Sequence, residues 1–301
     1  MSTQETVEMA HNYRIGRGTT KQNLIEAGRM YQLAASQGDP DGAAWLGYFH
    51  LRKWGGLGND KEAFCLSKMG AEKNHPLAIR NLAFCYIRGR GTSKDVKEGI
   101  KLIQNKTVLE NSHCQLTLGI CYKRGEGVQE DKHEGIRLFR LAAEQGNPYA
   151  FSTLGICYEL GEGVERDCKE AVRFYRLGIA RGDVSAQTKL GFCYELGMGV
   201  GKNVKQATHL YKLSADQGEA MARFVLARRY ETGHGVDQDL NKALNLYRKG
   251  VEQNCDFSQC KLGSLYLIGL AVKKDPNEAR YLLHLSACQG NESARHRLLT
   301  S

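Results

Sequence analysis

Apolar and small residues recur at a fixed interval along this chain. One leucine returns every 36 residues, at Leu46, Leu82, Leu118, Leu154, Leu190, Leu226, Leu262 and Leu298. From Leu46 to Leu262 the next residue is glycine or alanine, and in all these units but the first a tyrosine follows four positions after the leucine. Residues three and four apart share one face of a helix, so the pattern predicts a helix, called helix A, that a neighbouring helix approaches closely.

A second helix is predicted after a glycine-rich loop. Two glycines follow most A helices, as at Gly161 and Gly163, and glycine ends a helix because it tolerates positive φ. Asp or Asn then occupies the predicted N-cap of helix B, and Glu or Gln follows three positions later in every repeat but the one with Lys242. We interpret these caps as structural rather than catalytic; they are Asn59, Asp95, Asp131, Asp167, Asn203, Asp239 and Asp275.

The predicted fold class is all-α: an α/α right-handed superhelical solenoid of helical hairpins with a 36-residue repeat. Two helices of about 13 residues and two turns fill each repeat, and hairpins stack because one hairpin cannot bury its apolar face alone. We expect a single array over 1–301, with a degenerate first unit at 7–41, seven full repeats at 42–293 and a partial terminal helix at 294–301.

A family resemblance follows from these marks. The stretch Leu154-Gly-Ile-Cys-Tyr-Glu-Leu-Gly-Glu-Gly-Val164, with Asp167 and Ala171 after it, closely resembles the Sel-one-like repeat. That family is related to the tetratricopeptide repeats and has a longer Gly-x-Gly-Val loop. The resemblance implies a scaffold for protein complexes. Departures from the pattern are Lys53 and Trp54 in the first full repeat, and Lys106, Thr107 and Glu110 in the second. The degenerate first unit keeps two loop glycines, Gly16 and Gly18, and has one inserted residue.

The resemblance to tetratricopeptide-like solenoids implies that the A helices line a concave groove. Residues two positions after each leucine are then predicted to point into it, and the first five are apolar. They are Tyr48, Phe84, Ile120, Ile156 and Phe192, followed by Arg228 and Ser264. An exposed apolar stripe would mark a binding site. The alternative is that these side chains cover the neighbouring helix, and the sequence leaves both interpretations open.

Charged residues on the same helices predict a polarised groove. Its first half carries the basic residues Arg52, Arg80, Arg88, Lys123 and Arg124, and its second half carries Glu159, Glu195 and Glu231. Such a surface suits an extended peptide or a helix with an acidic end, oriented by charge. Scattered solvated charge is the alternative, and phosphate binding by the arginines is a variant of the first interpretation.

Composition limits the classes of partner. The formal net charge is +9, but the basic residues are spread over all repeats, which disfavours nucleic acid. No apolar run approaches the roughly 20 residues that span a bilayer. The first residues, MSTQETVEMAHNY, lack the features of a secretory signal, so we expect a cytoplasmic protein. The secretion signal of an injected effector would leave no mark in these patterns, and the oligomeric state stays open.

Ten cysteines raise the question of disulfides and metals. Cys85, Cys121, Cys157 and Cys193 hold one repeat position, and equivalent atoms of stacked hairpins lie about 10 Å apart, whereas a disulfide needs Cα atoms within about 7 Å. We interpret them as small buried apolar residues. Cys255 and Cys260 are the only plausible pair, and reduced thiols are favoured overall. Because no CxxC or convergent Cys and His spacing occurs, no metal or cofactor is predicted.

The predicted function is a protein–protein interaction adaptor that binds a partner peptide or helix in the groove, with no catalytic residue. By resemblance to cysteine-rich relatives, the alternative is a redox or cofactor-assembly protein, or a weak hydrolase related to β-lactams or peptidoglycan. RNA binding is a third possibility, because pentatricopeptide arrays have a nearly equal period. Those arrays lack the Gly-x-Gly-Val loop, which places RNA binding below the adaptor.

Overall fold

The computed structural model describes residues 2–15, 23–105 and 109–300. These residues form 17 α-helices and one short 3₁₀ turn, with no strand among them. Most helices have 13 residues, as the repeat predicts. The all-α hairpin fold predicted from the sequence is therefore confirmed.

The helices alternate between A and B positions along the chain. The A helices are α1 (Thr3–Ile15), α3 (Pro40–Arg52), α5 (Pro76–Arg88), α7 (Ser112–Arg124), α9 (Pro148–Leu160), α11 (Val184–Leu196), α13 (Ala220–Thr232), α15 (Asp256–Ile268) and α17 (Glu292–Thr300). The B helices are α2 (Leu24–Ser36), α4 (Asp60–Glu72), α6 (Val96–Ile103), α8 (Lys132–Glu144), α10 (Cys168–Ala180), α12 (Val204–Asp216), α14 (Leu240–Glu252) and α16 (Pro276–Cys288).

The predicted start and stop signals act locally. Each of the seven predicted caps accepts a hydrogen bond from a backbone N–H of the first turn of its B helix; the Asp131 carboxylate, for example, accepts from the N–H of Glu134. Such a bond satisfies a donor that has no partner within the helix. At the stop signal after helix A, the loop glycines Gly161 and Gly163 have positive φ angles of 74° and 73°. Short-range chemistry therefore sets where the B helices begin and how the loops before them turn.

Two loop positions adopt the same left-handed backbone without glycine. Lys53, which replaces the first loop glycine of its repeat, has a φ of 55°, and Ala271 has a φ of 58°. A 3₁₀ turn at Trp54–Gly56 follows Lys53 in place of the usual loop. The departures at Lys106 and Thr107, and the glycines Gly16 and Gly18 of the degenerate unit, lie outside the described residues.

The chain divides into two compact units, Met1–Asn147 and Pro148–Ser301. Within each unit every helix from the second onward packs against the helix before it. Some A helices also touch the next A helix, as α3 touches α5 in the first unit and α13 touches α15 in the second. The single uninterrupted array over 1–301 stays a prediction.

In three hairpins the glycine after the repeat leucine packs against an aromatic ring of helix B: Gly119 against Phe139, Gly155 against Tyr175 and Gly191 against Tyr211. Tyr175 and Tyr211 are fully buried. A β-carbon on Gly155 would come within 2.5 Å of the ring of Tyr175, and one on Gly191 would come equally close to Tyr211. The small residue beside the leucine therefore permits close approach of the two helices, as predicted.

All ten cysteines are free thiols, so Cys255 and Cys260 do not form the disulfide that their spacing allowed. Cys85, Cys121, Cys157 and Cys193 are buried, in line with their interpretation as apolar core residues. Within the described ranges, no helix is long and apolar enough to cross a membrane.

Candidate binding surface on the A helices

The apolar residues predicted to line a groove are neither fully buried nor open to solvent. Tyr48, Phe84, Ile120, Ile156 and Phe192 are all partly buried. Phe192 shows why, because one side of its ring meets Tyr211 edge-on at 5.4 Å between centroids. The other side borders a cavity. This side chain both covers helix B and forms part of a concave surface, which combines the two interpretations that the sequence left open.

A concave surface runs along the A helices of the second unit. It consists of two adjoining cavities of about 400 and 260 Å³ that share Phe224 and Arg228. We call it the A-face groove. The first cavity is lined by Phe192, Glu195, Met221, Phe224, Val225, Arg228, Arg229, Thr232 and His234, and the second by Phe224, Arg228, Phe257, Cys260, Lys261, Ser264, Asn291, Ser293 and Arg297. Of the residues predicted for this unit, Phe192, Glu195 and Arg228 therefore share one surface.

Aromatic residues that the sequence analysis missed form the centre of this groove. The rings of Phe224 and Phe257 lie 5.4 Å apart, and 43% of Phe257 is exposed. Phe224 is four residues before Arg228, so helical spacing alone could have placed both on one face. Only the position two residues after the leucine was considered, which is why this signal was overlooked.

Exposed apolar side chains recur on the A helices one helical turn after the positions predicted to line a groove. Leu160, Leu196 and Ile268 occupy the position six residues after the repeat leucine, and each is between 59% and 67% exposed. Two of them lie four residues after Ile156 and Phe192, and therefore on the same face of their helices. Three large apolar residues at one repeat position give the A face a recurring exposed apolar edge.

The three glutamates predicted to make this half acidic are bound to neighbouring side chains. Glu159, Glu195 and Glu231 each accept a hydrogen bond from a helix B tyrosine, at 2.5 Å from Tyr175, 2.8 Å from Tyr211 and 2.8 Å from Tyr247. Burial, reinforced by the adjacent carboxylate, raises the pKa of all three phenols. The tyrosines are therefore neutral donors.

Two of these glutamates also pair with a cation. Glu195 Oε2 lies 2.9 Å from Nη2 of the buried Arg229, and Glu231 Oε1 lies 2.8 Å from Nζ of Lys261. The contact of Arg229 is an ion pair without an aligned hydrogen bond, since its Nη2 has no partner by hydrogen-bond geometry. Arg228, the residue before Arg229, is exposed and has no carboxylate partner among the described residues. Much of the predicted negative charge is thus neutralised, while Arg228 is left available to a ligand.

The first unit brings two of its predicted basic residues to one aromatic ring. The guanidinium carbon of Arg80 lies 5.1 Å from the ring centre of Tyr48, and that of Arg52 lies 6.0 Å from the same centre. Arg52 is also 5.6 Å from the ring of Trp54. Of the other predicted basic residues, Lys123 is partly buried, and Arg88 and Arg124 are exposed. Arg124 pairs with Glu126.

A second polar cluster of the first unit joins three repeats. Asp41 lies 3.2 Å from Nε2 of His75 and 3.6 Å from Nε2 of His11, and His11 Nδ1 is 2.6 Å from the hydroxyl of Tyr31. The hydrogen bond from His75 lowers the pKa of Asp41. Burial lowers the pKa of His11 despite the nearby carboxylate. In the part of the chain that the structure describes, no group of three His, Cys, Asp or Glu could hold a metal ion.

The family model of the Sel1 repeat matches seven segments of this chain, at residues 7–39, 76–104, 112–147, 154–183, 184–219, 220–255 and 256–291. It passes over residues 40–75, which contain the departures at Lys53 and Trp54. No curated protein matches the chain.

The solved structures that are similar to this chain include Sel1 repeat proteins. The chain is 31% identical to a Sel1 repeat protein from Oxalobacter formigenes, with 82% of this chain and 99% of that one covered and a TM-score of 0.66. It is also 31% identical to c5321, a protective antigen of uropathogenic Escherichia coli with an SLR fold, over 99% of this chain at a TM-score of 0.55. The match spans only 64% of the length of c5321. IFIT1, solved with m7Gppp-AAAA, is similar in fold alone, at 15% identity and a TM-score of 0.60.

Proposed function

This chain belongs to the Sel1 repeat family, and we propose that it is a non-catalytic scaffold whose A-face groove binds an extended or helical segment of another protein. The observation that carries this proposal is the groove itself. It combines the tilted pair of Phe224 and Phe257 with the exposed guanidinium of Arg228 in one concave surface. Large aromatic side chains and arginine are the residues that contribute most to binding at protein interfaces.

Charge supports a partner segment with an acidic part. The cations Arg229 and Lys261 already neutralise Glu195 and Glu231, so the groove is less negative than its sequence suggests. Arg228 would pair with a carboxylate of the partner, and the apolar side chains would take its hydrophobic residues. The proposed partner is therefore still a peptide or helix with an acidic part, as predicted from the sequence. Its acidic residue is expected to lie beside Arg228.

The alternative of a redox protein has less support. The thiolate is the reactive form of cysteine, and burial raises the pKa of Cys85, Cys114 and Cys193 to about 12. These thiols therefore stay protonated near neutral pH. Ten free cysteines are also in keeping with a reducing compartment, which supports the proposed cytoplasmic location.

A peptide-display selection tests the proposal with a defined probe. Random 16-residue peptides are selected on the whole protein, and the binders are measured against Phe257→Glu and Tyr281→Glu. Phe257 lines the groove, whereas Tyr281 is an aromatic residue on helix B that is at least as accessible, at 59% exposure against 43% for Phe257. We expect peptides with apolar and acidic residues whose affinity falls at least about tenfold, or 1.4 kcal/mol, in Phe257→Glu and stays nearly unchanged in Tyr281→Glu.

A charge swap tests the orientation of the bound peptide. Arg228→Glu should weaken the binding of the selected acidic peptides. Changing the acidic residue of the peptide to lysine should restore its binding to this variant. Equal helicity of all variants by circular dichroism is the control for folding. Selection of no peptide, or equal weakening by Phe257→Glu and Tyr281→Glu, would refute binding in the A-face groove.

A further inference from the structure

Arg52 and Arg80 place two positive charges at one aromatic ring without a counter-ion. Their guanidinium carbons lie 6.0 and 5.1 Å from the centre of the Tyr48 ring. Among residues 2–15, 23–105 and 109–300, no carboxylate lies within ion-pair distance of either arginine. The only hydrogen bond that Arg80 makes there is a long one, 3.4 Å from Nη2 to Oδ1 of Asn81.

The position of Arg80 in the repeat makes its charge unusual. It stands two residues before the repeat leucine, where the other full repeats have uncharged side chains: Ala44, Leu116, Ser152, Thr188, Phe224 and Cys260. Arg80 is partly buried, and a partly buried charge without an opposite charge costs free energy. Packing of the hairpins does not require an arginine at this position, since six other repeats pack without one.

A third group responds to the positive potential of the two arginines. His113 lies on the next A helix, and its pKa is lowered first by burial and then by the charges of Arg80 and Arg52. Burial likewise lowers the pKa of Arg80, with Arg52 adding repulsion. The fold therefore holds the two guanidinium charges of Arg52 and Arg80 together at Tyr48, and an anion bound between them would remove their repulsion.

We propose that Arg52 and Arg80, which meet at the ring of Tyr48, form with His113 of the next A helix a binding site for a phosphate group carried by the partner protein. A phosphate monoester presents three acceptor oxygens and nearly two negative charges, which suits two guanidinium groups and an imidazole better than one carboxylate does. Its binding would also favour protonation of His113. The inference rests on the proposed function only in assigning the phosphate to the partner segment, and the site itself can be tested without a partner.

Inorganic phosphate is the first probe. Both tryptophans of the chain, Trp45 and Trp54, lie in the first unit, and Trp54 contacts Arg52, so tryptophan fluorescence reports on this region. Titration at constant ionic strength should give a saturable change, while chloride gives none. We expect Arg52→Gln to weaken phosphate binding at least about tenfold. Arg88→Gln is the matched control, because Arg88 is the exposed arginine at the same position of the next repeat, and it should change binding less than about twofold.

Thermal unfolding separates a ligand site from a structural role of Arg80. Phosphate should raise the Tm of the wild type, whereas Arg80→Met should have an equal or higher Tm without phosphate and no response to it. A structural arginine would give the opposite result, with a lower Tm for Arg80→Met and an undiminished response of Arg52→Gln to phosphate. That result overturns the proposal, as does a wild type that phosphate does not affect.

The carrier of the phosphate is tested with a degenerate peptide library. Peptides with a central phosphoserine and four random residues on each side are compared with the same library carrying serine, and with a 5′-phosphorylated RNA decamer. Retention of phosphoserine peptides that Arg52→Gln abolishes supports the proposal, and preference for the RNA overturns the assignment to a protein. Phe257→Glu separates the two proposals, since it should abolish peptide binding in the A-face groove and leave the response to inorganic phosphate unchanged.

Discussion

The ring of Tyr211 lies against Gly191 so closely that a β-carbon on the glycine would come within 2.5 Å of Tyr211 Cε1. The same tyrosine donates its hydroxyl hydrogen to Glu195, on the same helix as Gly191. One helix B residue thus makes both an apolar contact and a polar contact with helix A of its own hairpin. Tyr175 repeats this arrangement with Gly155 and Glu159, which indicates that it belongs to the repeat itself.

Gly191→Ala should destabilise the protein although alanine is the better helix former. The gain in helix propensity is about 1 kcal/mol, but overpacking against a rigid buried ring costs about 1–3 kcal/mol. We expect a net loss of about 1 kcal/mol, measured by urea unfolding. Gly201→Ala is the control, because a β-carbon there meets nothing within 4 Å. Equal stability of the two variants would show that helix B can move away.

Arg229 and Arg228 should respond in opposite ways to replacement by methionine. Buried Arg229 pairs with Glu195 and donates to Thr208 and to the backbone carbonyl of His234. Replacing Arg229 leaves the partly buried carboxylate of Glu195 without a cation. Breaking a fully buried ion pair costs about 3–5 kcal/mol, and we expect a smaller loss here because Glu195 is partly exposed. Arg228→Met should stay within about 0.5 kcal/mol of the wild type. Chemical unfolding measures the free energy of unfolding of both variants. Similar losses of stability in the two variants would contradict the structural role assigned to Arg229.

Ala271→Gly should stabilise the second unit. Ala271 has a φ of 58°, in the left-handed region that glycine adopts without strain. The other repeats have glycine at this position, so we expect a gain of about 0.5–1 kcal/mol in the free energy of unfolding. Gly235→Ala, at the equivalent position, should lose stability, because its φ is 74° and a β-carbon would crowd Val204. A destabilised Ala271→Gly would mean that the alanine methyl group makes a contact that outweighs the strain.

Thiol reactivity should divide the ten cysteines by burial. Cys65 and Cys288 are exposed and should react first with a maleimide at neutral pH. Six cysteines are buried, namely Cys85, Cys114, Cys121, Cys157, Cys193 and Cys260, and they should react only after unfolding. Mass spectrometry of native and urea-treated protein counts the labels. Rapid native labelling of Cys193, whose pKa burial raises to about 12, would revive the redox alternative.

Stability of the first unit should fall as the pH drops from 7 to 5. The pKa values of His11 and His113, both in the first unit, are lowered from 6.5, chiefly by burial, so the unfolded chain binds these protons before the folded chain does. Stability is therefore lost as the pH falls through 6.5, by up to about 1.4 kcal/mol per pH unit for one proton. The lowered pKa of Asp41 adds a further loss at lower pH, below its ordinary value of 3.8.

Urea unfolding followed by tryptophan fluorescence measures this loss, since both tryptophans lie in the first unit. The variant His11→Gln should reduce the slope of the pH dependence between 7 and 5, and the part that remains is assigned to His113. His133→Gln, which changes an exposed histidine of α8, is the control and should leave it unchanged. An unaltered slope in His11→Gln would assign the acid sensitivity to another group.

The sequence by itself determined the helices, their ends and the repeat that they form. The signals that set them act within a few residues: the leucine and glycine of helix A, the loop glycines, and caps such as Asp167. Such signals survive in a single sequence because the groups that interact are neighbours in the chain.

Only the tertiary structure decided how the side chains of different repeats combine. Arg229 neutralises Glu195, which belongs to the preceding repeat. Arg52 and Arg80 meet at Tyr48, although Arg80 belongs to the repeat after that of Tyr48 and Arg52. Phe224 and Phe257 likewise come from successive A helices. These pairs depend on the distance and rotation between stacked hairpins and on the side-chain conformations that close packing permits. The 36-residue period specifies neither, so the charge of the groove and the arginine cluster emerge only when the hairpins are packed.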